Sequence, residues 1–309
     1  MDATAASAPP LADVVAALED LYPPSTAEGW DAVGLVVGDP AAPVRKILFA
    51  VDPVAAVVDE AIAWGADLLV THHPLFLRPV HSVAATTFKG DVVHRLLTAG
   101  CGLYVAHTNA DAAPRGVADA LADLVGITDR RPLVVGDDGD DVERGIGRVG
   151  DLAEPTTLGA FAERVAAALP ATAQGVRVAG DPAAPVATAA VVGGSGDSLF
   201  DAVRAAAVDV YVTADLRHHP ASELRERADF EAGADGAGRA TPFLVDVAHF
   251  ASEWPWLAYA AEDVVARLGG RAGEGSGEGT VTTRVSTIGT DPWTARVAST
   301  VRETDRPTS

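Results

Sequence analysis

The sequence is poor in the residues that cross-link or anchor a chain. It holds one cysteine, Cys101, in 309 residues. That excludes a disulfide framework within the chain and a cysteine-based zinc site, and it fits a reducing, cytoplasmic setting. Lysine is almost missing: Lys46 and Lys89 are the only two, and arginine supplies the remaining basic charge. The balance of 23 basic to 43 acidic residues leaves a net charge of -20. Such a chain repels a phosphate backbone, which argues against nucleic acid as a partner. An anionic substrate would need locally placed cations or a metal. No apolar run reaches the roughly 18 residues of a membrane span. The opening Met1-Asp-Ala-Thr-Ala-Ala lacks the basic start of a signal peptide.

What is present is an α/β pattern. Short Val/Leu/Ile runs alternate with helical stretches of about 10–15 residues, which predicts mainly parallel strands with helices packed on them. Leu11 to Leu21 reads as an amphipathic helix stopped by Pro23 and Pro24, and Leu158 to Leu169 as another that ends at Pro170. The expected organisation is a first α/β half over 1–130 and a connector with one helix over 131–187. A second α/β half over 188–270 follows, then a flexible loop and C-terminal strand over 271–296. A disordered tail over 297–309 completes it. Residues 133–144 are acidic and turn-rich, and Gly233–Gly238 and Gly269–Gly279 read as flexible loops.

One pattern occurs twice, 142 residues apart. His107-Thr-Asn-Ala-Asp111 follows the apolar run Leu103-Tyr-Val105, and His249-Phe-Ala-Ser-Glu253 follows Phe243-Leu-Val245. The same gapless offset lays Asp59–Thr71 over Asp201–Thr213 and Ile47–Val51 over Ala189–Gly193. Look-alikes arise by chance in an Ala/Val-rich chain. An offset that includes polar positions across several elements argues for duplication instead. Each half then reads strand, helix, strand, helix, strand, acid motif, helix. The fold class is α/β, with two duplicated halves related by a pseudo-dyad and a metal site between them.

Imidazole and carboxylate are the side chains that a hydrolytic metal site needs. His72 and His73 end the apolar strand Asp67–Thr71, and ligands of open α/β sheets bind at the carboxyl ends of strands. Adjacent strand residues point to opposite sides, so the two histidines suit two neighbouring ions better than one. His249 and Glu253, four apart, share a face if the segment is helical. A carboxylate can bridge two ions, which makes Glu253 and Asp111 the natural bridges. His107 reads as a ligand by the repeat, or as a residue that orients Asp111. His218 and His219 have two readings, as proton carriers for catalysis or as polar residues at a helix start lining a cavity. Gly193-Gly-Ser-Gly196 is a strand-to-helix turn; without a following Gly-Lys-Ser/Thr it is not a Walker loop.

Six ordered motifs carry a resemblance: Trp30–Gly38, Thr71–Phe76, Ala106–Asp111, Gly193–Gly196, Thr213–His219 and His249–Glu253. Together they resemble the GTP cyclohydrolase 1 type 2 homologues, also called Nif-three-like proteins, over about residues 10 to 290. The resemblance implies a ring-shaped homohexamer with two divalent metal ions per subunit. It implies that His73 and Asp111 hold one ion, His72 and His249 the other, and that Glu253 bridges both. His107 is not a ligand in that scheme. Ala32, Val36 and Phe250 stand where such proteins commonly carry polar residues. The mixed N/O ligand set suits Zn, Fe, Mn or Ni.

The function expected from this is a metal-dependent hydrolase acting on a nucleotide or related small molecule. The alternative is a non-catalytic metal-handling or regulatory scaffold forming a ring. What separates them is whether a proton-transfer group stands beside the metal ligands.

Overall fold

The computed structural model describes residues 8–136, 143–235, 239–269 and 281–298. Five expectations fall wholly or partly outside these residues: the opening residues 1–7, the acidic stretch 137–142, residues 236–238 of one glycine loop, 270–280 of the other, and the tail from 299.

The first half runs α1 (Leu11–Leu21), β1 (Gly34–Val37), β2 (Lys46–Ala50), α2 (Ala55–Trp64), β3 (Leu68–Thr71), α3 (Phe88–Ala99), β4 (Gly102–Val105), α4 (Thr108–Ala112) and α5 (Val117–Val125). On α1, Leu11, Val14, Ala17 and Leu18 are buried, a three-to-four-residue repeat that turns one helical face to the core. Gly65 ends α2 in the left-handed conformation, at φ 71°, which costs a residue without Cβ nothing.

Next come β5 (Ile127–Val135), β6 (Gly145–Thr157), α6 (Leu158–Ala168) and β7 (Arg177–Ala179). The stretch read as a connector with one helix therefore also supplies strands. β5 and β6 pair antiparallel and join the second sheet through β8. The second half runs β8 (Pro185–Ser195), α7 (Phe200–Ala205), β9 (Val210–Ala214), α8 (His218–Asp235), β10 (Phe243–Val247), α9 (His249–Glu253), α10 (Trp256–Arg267) and β11 (Thr282–Val285). Residues Gly233–Asp235, expected to be loop, lie in α8.

The first sheet has the order β1-β4-β3-β2-β11 and the second β5-β6-β8-β9-β10-β7. The repeat is visible in the pairing. β2 pairs with β3 in parallel as Ile47↔Leu68, Leu48↔Leu69 and Phe49↔Val70. β8 pairs with β9 as Ala189↔Val210, Ala190↔Tyr211 and Val191↔Val212, each partner 142 residues on. Asp67 Oδ2 accepts from the backbone N–H of Arg45 and Lys46, at 2.7 and 2.9 Å. Asp209 Oδ2 does the same for Ala187 and Thr188, at 2.8 and 3.1 Å.

Side chains alternate between the faces of each sheet. Phe49, Val70 and Tyr104 of the first sheet and Val191, Val212 and Val245 of the second belong to one core, with Leu121 of α5 and Trp256 of α10. The opposite faces pack Leu48 and Leu69 under α2 and α3, and Ala190 and Tyr211 under α7 and α8. No helix among the described residues is long and apolar enough to cross a membrane.

Candidate metal centre

Past Thr71 the strand ends and the backbone bends at His72 and His73, whose N–H groups reach Ala50 O at 3.2 Å and Val51 O at 2.9 Å. The bend keeps the two rings close, with centroids 5.1 Å apart. On the second sheet α9 begins at His249, and Glu253 follows one helical turn later on the same face. His249 Nε2 and Glu253 Oε1 lie 2.9 Å apart.

Glu253 is buried and central. Its Oε1 is also 3.5 Å from His72 Nε2, and its Oε2 is 3.2 Å from His73 Nε2. His72 Nε2 lies 3.7 Å from Asp111 Oδ1. The Nε2 atoms of His73 and His249 are 3.2 Å apart. The five residues expected as metal ligands thus converge from β3, α4 and α9. His72 Nε2 and His249 Nε2 both face Glu253 Oε1, while His73 Nε2 faces Glu253 Oε2.

Each ring is oriented from its far nitrogen. His72 Nδ1 bonds Ala106 O at 2.9 Å, His73 Nδ1 bonds Asp52 at 2.7 Å, and His249 Nδ1 bonds Asp215 at 2.7 Å. Carbonyl and carboxylate oxygens only accept, so in the neutral rings Nδ1 carries the proton and Nε2 presents a lone pair. Lone pairs facing each other at 3.2 Å, as on His73 and His249, call for a cation between them. His72 Nε2 and Glu253 Oε2 are buried and make no hydrogen bond among the described residues. Buried polar atoms normally find partners. These two orphans, with nitrogen and carboxylate donors around them, fit the divalent ions that the ligand types imply.

The electrostatics point the same way. Burial opposes charge on His73, yet the Glu253 and Asp52 carboxylates outweigh it and push the ring up to about 11. Burial likewise opposes charge on His249, which Glu253 and Asp215 raise to about 9. His72 is raised against its burial by Glu253 and Asp111. Burial favours the neutral form of Glu253, but His73, His72 and His249 hold it well below the carboxylate range. Asp111 is raised by burial, with Glu253 adding to the effect. The cluster attracts positive charge, whether protons or metal.

His107 sits beside the cluster, with its ring centroid 5.1 Å from that of His72 and 5.6 Å from that of His73. It does not bond Asp111. Its Nδ1 bonds Asp31 at 2.8 Å, and Asp31 Oδ2 also accepts from the N–H and hydroxyl of Thr108, at 3.0 and 2.5 Å. His218 and His219 are not brought to the cluster. Their rings contact each other at the start of α8, and His218 lines a separate cavity with Arg177, Arg225 and Asp246. Asp246 binds Arg177 and the N–H of Leu216.

The glycine-rich turn serves close approach. A Cβ on Gly194 would stand 2.6 Å from Glu253 Oε1 and 3.1 Å from His249 Nε2, at a φ of +66°. Its N–H donates to Ser252 Oγ at 2.8 Å, so the turn is structural. Sequence reasoning missed Asp31 and Asp52 as orienting residues. For Asp215 a signal existed: it stands 142 residues after His73.

The profile of the Duf34/NIF3 (NGG1p interacting factor 3) family matches residues 9–272. The chain belongs to the Duf34/NIF3 family. A Streptomyces coelicolor member named GTP cyclohydrolase 1 type 2 homolog is 52% identical, over 94% of this chain and 96% of its own. A Mycobacterium bovis member of the same name is 37% identical, over 92% and 96%. Among solved structures, a Staphylococcus aureus hypothetical protein superposes with a TM-score of 0.76 at 25% identity, covering 94% of this chain and 100% of that one. A Bacillus cereus protein related to NIF3 gives 0.75 at 23% identity, over 92% and 98%, and shares the NIF3 fold.

Proposed function

We propose that the protein is a dinuclear metal-dependent hydrolase. In this reading His73 and Asp111 would hold one divalent ion, His72 and His249 would hold the other, and Glu253 would serve both. The observation that carries it is the buried Glu253 carboxylate set among three Nε2 atoms, two of them only 3.2 Å apart. Bound in such a site, two ions activate a water molecule and polarise the bond to be broken.

The protein's own residues do the rest. Asp52 and Asp215 fix the rings of His73 and His249. His107, its Nδ1 held by Asp31, has its Nε2 left to take a proton from the attacking water or to hand one to the leaving group. It takes the role that the sequence offered to His218 and His219. The relatives' name supports a nucleotide as substrate, with hydrolytic opening of the guanine imidazole ring of GTP as the first reaction to assay. The family likeness also supports a homohexamer, so light scattering should return six times the chain mass of 31.6 kDa.

A second reading, a non-catalytic metal-handling or regulatory ring, draws on the distance of the His218-His219 pair from the cluster. Elemental analysis of purified protein, followed by a hydrolysis screen with nucleotides, separates the two. Two ions per chain and turnover support the hydrolase. Intact metal content with no turnover by any metal form leaves the scaffold.

A further inference from the structure

The family profile ends at residue 272, but the chain returns to the metal centre after it. β11 adds to the edge of the first sheet in parallel with β2, pairing Thr282↔Lys46 through Val285↔Phe49. Ser286 then fastens the segment: its N–H donates to Phe49 O at 2.8 Å, its hydroxyl to Glu60 at 2.6 Å, and its carbonyl accepts from Trp254 Nε1 at 2.9 Å. Four residues on, the Thr290 hydroxyl bonds Asp52, the carboxylate that orients His73. The segment is tied to the same residue that positions a ligand.

Beyond Thr290 the chain forms a wall. A cavity of about 380 Å³ is lined by His73 and His249 together with Asp291, Pro292 and Trp293. Trp293 is 67% exposed, a large apolar ring left uncovered at the mouth of a polar site. Asp291 Oδ1 accepts from the Trp293 N–H at 3.1 Å, which fixes the carboxylate. Its Oδ2 is sealed from solvent, so this carboxylate braces the wall. An uncovered aromatic face on a polar cavity is the chemistry that stacks on a flat ring.

We infer that this C-terminal segment is the substrate-recognition wall of the site. Trp293 stacks on a planar heteroaromatic ring. The reacting edge then faces His73 and His249. The inference rests on the hydrolase reading for its substrate, yet it concerns binding, so it is tested apart from turnover.

The probes are guanosine, a flat ring with adjacent N–H donors, and ribose 5-phosphate, which lacks the ring. Each is titrated calorimetrically into the full-length, metal-loaded protein, and metal content is measured on the same samples. Guanosine should bind and ribose 5-phosphate should bind at least tenfold more weakly. Trp293→Ala should weaken guanosine roughly tenfold to a hundredfold, and Trp293→Phe should restore most of that, both with metal content unchanged. Equal affinity for the two probes, or full guanosine affinity in Trp293→Ala, overturns the inference. Failure of the hydrolase reading shows separately, as absence of turnover in protein that still binds guanosine through Trp293.

Discussion

Asp215 accepts a 2.7 Å hydrogen bond from His249 Nδ1 and occupies the position 142 residues after His73. The second half thus orients a metal-facing ring where the first half supplies one. Such partners sharpen ligand geometry and basicity. Asp215→Ala and Asp52→Ala should each lower metal affinity about 10- to 100-fold while leaving the circular dichroism spectrum unchanged. Metal titration against a competing chelator measures it; unchanged affinity would count against the orienting role.

Removing Glu253 is more severe. In Glu253→Ala three histidines lose their shared carboxylate. Fewer than two ions per chain should remain by elemental analysis. A variant that keeps both would rule out the bridge. The metal-free form should also lose about 3–5 kcal/mol on denaturant unfolding, the usual cost of deleting one side of a buried charge cluster.

Gly194 tests the site through backbone clearance. Gly194→Ala places a methyl group 2.6 Å from Glu253 Oε1 and adds a Cβ at φ +66°. We expect a stability loss of about 1–3 kcal/mol together with weakened metal binding. Wild-type metal content in this variant would mean that Glu253 can move aside.

Asp31 gives a pH signature. Its carboxylate is fully buried, and burial alone would raise it. Bonds from His107 and Thr108 more than reverse that and hold it below the usual range. A depressed folded value means that the unfolded chain binds the proton more readily. The stabilisation is therefore complete above the ordinary carboxylate value of about 4 and fades as pH falls below it. The stability gap between wild type and Asp31→Ala should be about 2–3 kcal/mol near neutrality and shrink steadily below about pH 4. A gap that stays constant into acid would contradict the assignment.

How much of this the sequence discloses depends on range. The 142-residue offset, α1, α6 and the convergence of His72, His73, Asp111, His249 and Glu253 rest on local spacing, on strand ends or on the repeat. Asp31, Asp52 and Asp215 are ordinary aspartates whose partners stand 76, 21 and 34 residues away. Spacing rules do not reach that far. β5 and β6 were hidden differently. Pro132, Gly145, Gly147, Gly150 and Pro155 break their alternation, and the register slips between Thr128 and Arg131 and again between Asp151 and Thr156. That Glu253 of the second half meets His72 and His73 of the first is a matter of tertiary packing.

The placement of β11 has a consequence for the order of events during synthesis. A ribosome that has delivered β2, β3, β4 and α4 has already released His72, His73 and Asp111, yet β2 still lacks the neighbour that arrives with Thr282–Val285. His249 and Glu253 also emerge late. β11 finishes a sheet begun by the first half, so the acidic and imidazole side chains come together only after the second half has left the tunnel.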